Sequence, residues 1–154
     1  MLQIGTGGPL SLAGTLTQHA ATALFLQGSP IYQTAGSVSG STLVAQATGA
    51  EGPIGVVLGQ TGNGLQNISV GSSVVGGAVT VTSSQALTLT STTTALTGTV
   101  AGVQASGGDI SLTGASVALG NVVSTSGPGN VSISGAAGIT GASTVTGQNV
   151  SLST

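Results

Sequence analysis

Aliphatic and hydroxyl-bearing residues alternate in short bursts along this chain, and one five-residue phrase keeps returning. NISVG at 67–71, ALTLT at 86–90, DISLT at 109–113, NVSIS at 130–134 and NVSLS at 149–153 share its pattern. An Asn-like residue leads in most copies, followed by an aliphatic, a hydroxyl, an aliphatic and a small residue. The first aliphatics are Ile68, Leu87, Ile110, Val131 and Val150, spaced about twenty positions apart but not evenly. Period-two alternation predicts strands, and a repeat of about that length predicts a solenoid with a strand in every turn.

Side chains alternate across a strand, so Ile110 and Leu112 face one way and Ser111 and Thr113 the other. A single copy has too little apolar surface to fold alone, whereas stacked copies share one interior. Stacking in register predicts an inward column of Ile68, Leu87, Ile110, Val131 and Val150. A second column holds Val70, Leu89, Leu112, Ile133 and Leu152. Ser69, Thr88, Ser111, Ser132 and Ser151 then face outward. The leading polar residues, Asn67, Asp109, Asn130 and Asn149, are expected to form a ladder at one corner, because Asn side chains bond along such stacks.

AVTVT at 78–82 and SVALG at 116–120 are further copies within coils, which gives two or three strands per coil joined by Gly-rich corners. Residues 41–154 read as solenoid repeats. Residues 1–40 carry the weakest repeat and read as an atypical end, either a cap in which Phe25 and Tyr32 cover the open core or simply another coil. A helical turn competes over 19–28, opposed by Thr22 and the early Gly28.

Composition narrows the functions. The 154 residues contain no Lys, Arg or Cys, only two acidic residues, and 28 glycines. Without basic side chains there is nothing to neutralise phosphates, so nucleic-acid binding is excluded and anionic surfaces lose their handle. No run approaches the roughly 20 apolar residues needed to span a bilayer, so membrane insertion is not expected. The start, MLQIGTGGPL, lacks the cationic residues of a secretory signal; if the protein is exported, its signal lies outside this chain.

The stretches QALTLTSTTTALTGTVAGVQASGGDISLTGASVALGNV and GNVSISGAAGITGASTVTGQNVSLST resemble the repeat region of filamentous-haemagglutinin-type adhesins, bacterial surface proteins exported by two-partner secretion. The resemblance covers about residues 30–154 and rests on repeat style. It implies an all-β, right-handed parallel β-helix at an extracellular or bacterial cell-surface location. Such a β-solenoid would have coils of about 19–23 residues, the spacing of the phrase.

Catalysis needs titratable groups, and the inventory is His19, Glu51 and Asp109. Paired carboxylates and Arg, Lys or calcium are what β-helical lyases and hydrolases use. One His without a second His or Cys makes a poor metal site. No catalytic, cofactor-binding or metal-binding residue is assigned, and an enzyme is not expected. The expected function is structural, the shaft of an adhesin or extracellular fibre. The alternative is a lateral face that binds a glycan or protein receptor. The carboxyl end, GQNVSLST, has no charge or Pro to blunt an edge strand, so end-to-end stacking into a homo-oligomer is expected.

Overall fold

The structure, a computed structural model, describes every residue except Met1, 19–22, Glu51 and 95–97. The described residues are all strand, turn and loop. The first strands are β1 (Leu2–Gly5), β2 (Leu10–Leu12), β3 (Leu16–Thr17), β4 (Leu24–Gly28) and β5 (Ile31–Gln33). Next come β6 (Val38–Ala47), β7 (Ile54–Leu58), β8 (Gly64–Val75), β9 (Ala78–Thr82) and β10 (Leu87–Leu89). Then follow β11 (Ser91–Thr94), β12 (Gly98–Ala101), β13 (Val103–Ser106), β14 (Ile110–Gly114) and β15 (Val117–Leu119). The chain closes with β16 (Val123–Thr125), β17 (Val131–Gly135), β18 (Ile139–Gly141), β19 (Val145–Thr146) and β20 (Val150–Ser153).

These strands wind into a β-solenoid of about seven coils. One wall is a seven-stranded sheet in the order β2-β5-β7-β9-β14-β17-β20, parallel throughout. The opposing sheet runs β1-β4-β6-β8-β10-β15-β18, with β13, β16 and β19 continuing it beside β8. In the lower coils the long strands β6 and β8 cover this wall in one piece. In the upper coils it is divided between two short strands, such as β15 and β16.

On the seven-stranded wall Leu10, Ile31, Val56, Val79, Ile110, Val131 and Val150 stand one above another. The step between neighbours is uneven, longest from Val79 to Ile110 and shortest from Val131 to Val150. The excess is taken up away from the paired segments, so that Val79–Thr82 and Ile110–Thr113 pair without a break in register. Some corners need glycine for space. A Cβ on Gly108 would collide with the Gly77 carbonyl below it, and one on Gly129 with the Gly108 carbonyl, so this edge stacks backbone on backbone.

Between the walls lies one apolar interior of Leu, Ile, Val and Ala, including Leu24, Leu43, Ile68, Leu89, Ile110 and Ile133. Each such side chain contributes roughly 1.5–3 kcal/mol on burial. The strands of the first forty residues join the same sheets: β1 pairs with β4, β2 with β5 and β3 with β6. Where a helical turn competed, Leu24–Gly28 is strand; residues 19–22 lie outside the described part.

The two inward columns expected from the phrase divide between the walls. Ile110, Val131 and Val150 stack together, as do Leu112, Ile133 and Leu152, with Val79 and Val81 beneath them. Ile68, Val70, Leu87 and Leu89 are equally buried but belong to the other sheet, where Leu89 pairs with Ile68 and Val70 with Val103. A coil visits both walls and uses the same phrase on each, so the step from Ile68 to Leu87 is no full turn. The stacking partner of Ile68 is Leu89, the second aliphatic of the next phrase instead of the first.

Candidate functional site

One coil departs from the rest. After Leu89 the chain leaves the wall, runs out and back as the antiparallel pair β11–β12, and returns at Val103. The excursion opens and closes at adjacent backbone positions, where Gly102 N–H donates to Thr90 O at 2.7 Å. Gly102 has φ +64°, and a Cβ there would run into the Val122 carbonyl, so no other residue fits this return without distortion. Val103 then pairs with Val70 and β8 is served by two partners in sequence.

The hairpin lies flat on the outer face of the wall. Phe25 of β4 and Val44 of β6 point outward, away from the main interior, yet both are fully buried, in a separate cluster with Val100 of β12. Phe25 therefore packs on the side of the stack instead of closing its end. Tyr32 is half-buried on the outward side of the other wall, in the row of Ser11 and Val57.

Ser69 anchors the hairpin's base. Its Oγ donates to Thr90 O at 3.0 Å and lies 3.1 Å from Thr90 Oγ1 and 3.0 Å from Thr92 Oγ1. It faces outward, yet the hairpin covers it completely. The other outward hydroxyls stay open to different degrees: Thr88 and Ser111 are half-buried, Ser132 and Ser151 exposed.

Beside the hairpin is a cleft of about 180 Å³, bounded by Thr99, Val100 and Ala101 on one side and by Gln46, Gly71 and Gln104 on the other. Gln27, Gln46, Gly71 and Gln104 occupy successive positions of one outward row, and glycine opens a gap between two glutamines. Gln104 Nε2 donates to Ala101 O at 2.9 Å, tying the wall to the hairpin. Gln46 Oε1 is buried with no partner in the protein. Past Gln104 the cleft opens into a shallow groove of about 430 Å³ edged by Ser72, Ser106, Ser124 and Ser126.

The expected corner ladder forms in part. Asp109 Oδ1 accepts from Asn130 N–H at 2.7 Å and from Asn130 Nδ2 at 3.1 Å, and Asn149 Nδ2 donates to Asn130 Oδ1 at 2.7 Å. Asn67 is not a rung; it sits on the other wall and donates to Ser41 O at 2.8 Å. A second polar corner has no counterpart in the phrase. Gln33 and Asn63, both buried, exchange two amide hydrogen bonds of 2.9 Å, and Asn63 Oδ1 also accepts from Val38 N–H at 2.7 Å. The signal was Gln33 itself, a polar residue two places after Ile31 where alternation calls for an aliphatic.

His19 and Glu51 lie outside the described residues. Among the described residues no three His, Cys, Asp or Glu side chains come together as a metal group would require, and no helix is long and apolar enough to cross a membrane. Comparison with protein families, with curated proteins and with solved structures finds no match.

Proposed function

We propose that this chain is a structural shaft, a non-catalytic, self-stacking β-solenoid that serves as a spacer in a bacterial cell-surface adhesin or extracellular fibre. The observation that carries this reading is the continuity of the stack. Seven strands follow one another in parallel on a single wall over a shared apolar interior. At a strand spacing of about 4.8 Å the seven coils make a rod roughly 34 Å long. The resemblance in repeat style to two-partner-secretion adhesins supports an extracellular or surface setting, and the absence of basic residues speaks against nucleic-acid partners.

Self-stacking would use the apolar side chains of the first and last coils of this chain. Val150 and Leu152 continue two buried columns, yet they are 46% and 54% exposed, and Leu2 of the opposite coil is 41% exposed. A second copy offers the matching strand edge and apolar surface. Such a contact is head-to-tail and repeats without closing. Light scattering over a concentration series tests it: the expected result is a mass that climbs with concentration, and Val150→Lys with Leu152→Lys should hold the chain monomeric. A wild-type particle that stays monomeric at high concentration overturns the stacking.

A further inference from the structure

The cleft between the hairpin and the wall is a built cavity that the shaft role does not use. The geometry points to a binding site there for an uncharged, hydroxyl-rich ligand, a neutral glycan, with one sugar ring seated over Gly71 between Gln46 and Gln104.

The ligand class follows from the groups that line the cleft. Thr99, Gln46 and Gln104 contribute hydroxyl and amide groups, Val100 and Ala101 a small apolar patch, and no lining residue is ionisable. A charged ligand would surrender its hydration and find no counter-charge. A purely apolar one would cover the Gln46 and Gln104 amides and the Thr99 hydroxyl without replacing the hydrogen bonds they make to water. Sugar hydroxyls can pair with these amides and with the Thr99 hydroxyl, and the ring's C–H face can rest on the patch of Val100 and Ala101.

Size and orientation agree. A cavity of about 180 Å³ lies below the ~300–1,000 Å³ of sites for drug-sized molecules and suits one ring. Gln46 and Gln104 stand two coils apart across Gly71, hence roughly 10 Å along the axis at about 4.7–4.9 Å per strand. The serine-edged groove beyond Gln104 carries the same chemistry onward for neighbouring sugars. The site is also pre-organised. Val100 is anchored in the cluster with Phe25 and Val44, and Ser69 fixes the hairpin base, so the wall of the cleft is in place before a ligand arrives.

Affinity electrophoresis provides the test, with the intact chain run through native gels containing dextran, laminarin or galactomannan as neutral probes and alginate as a charged one. Retardation by at least one neutral polymer and none by alginate is expected. Gly71→Val fills the cleft without asking for unusual backbone, since a Cβ there meets Val100 Cγ1 at an ordinary 3.5 Å. Gln46→Met removes the lining amide at nearly constant volume. Each should weaken binding by roughly tenfold or more, the equivalent of a lost buried hydrogen bond. Ser132→Ala, on the opposite wall, should bind as wild type. Circular dichroism and melting of each variant separate lost binding from lost fold, and Gln46→Met stands as the second variant should Gly71→Val fail to fold. Unchanged mobility in all neutral gels overturns the proposal. So does retardation by alginate alone, or retardation that both folded variants preserve.

Discussion

Gln33 and Asn63 face each other inside a coil corner, and neither amide can be deleted without stranding the other in a buried site. Asn63→Leu should cost about 1–3 kcal/mol, the desolvation of the polar groups left unmet. Gln33→Met combined with Asn63→Leu should cost less than the sum of the two single changes, and a double-mutant cycle from urea unfolding measures the difference. Strict additivity would show that the pair does not act as one unit. A second contrast tests which side of the wall each residue faces. Val131 is buried and Ser132 exposed at consecutive positions, so Val131→Asp should cost more than about 4 kcal/mol through an unpaired buried charge, whereas Ser132→Asp should stay within about 0.5 kcal/mol. Equal losses in melting temperature would contradict the alternation. At this scale the facing of positions within the phrase was legible in the sequence, because alternation alone sets that of Ile110 and Ser111. The neighbour of each position was not. Asn67 and Asn130 lead matching phrases, yet only Asn130 stands in the ladder, since the two phrases lie on different walls.

The β11–β12 hairpin is an element that the repeat concealed. STTTALTGTVA at 91–101 alternates as a coil strand would, and the step from Leu87 to Ile110 looks like one turn. On the wall where Ile110 sits, its neighbour below is Val79, which comes before Leu87 in the chain, and the surplus is the excursion. Periodicity reports that a segment is a strand but not whether its partner is the coil beneath or the segment beside it. Because Thr90 and Gly102 are hydrogen-bonded at the hairpin's base, residues 91–101 can be replaced by a short Gly-Ser link. The expected product keeps its strand-rich circular dichroism but exposes Phe25 and Val44. Dye binding to apolar surface should therefore rise and the melting temperature should fall. If neither changes, the hairpin is not what covers that cluster.

Over the whole molecule, all-β class and stacking of coils were legible, since they follow from repeat length and alternation. The pairing of walls was not, because coils as unequal as Val131 to Val150 and Val79 to Ile110 cannot be aligned by a single period. That unevenness shapes how the rod would answer to tension. Its backbone hydrogen bonds link coil to coil, so a pull on the two chain ends peels one coil from the next and loads few bonds at a time. Each release lengthens the tether by the slack wound into that coil, at about 3.3–3.6 Å per residue. By that measure the coil from Ile110 to Val131 stores about 70 Å of thread, and the one from Val79 to Ile110 about 105 Å. In single-molecule stretching the trace should show a series of short steps interrupted by one long one. A single cooperative rupture would mean that the coils fail together. The hairpin would thus act as a length marker, and its coil would yield more thread to an applied force than any other.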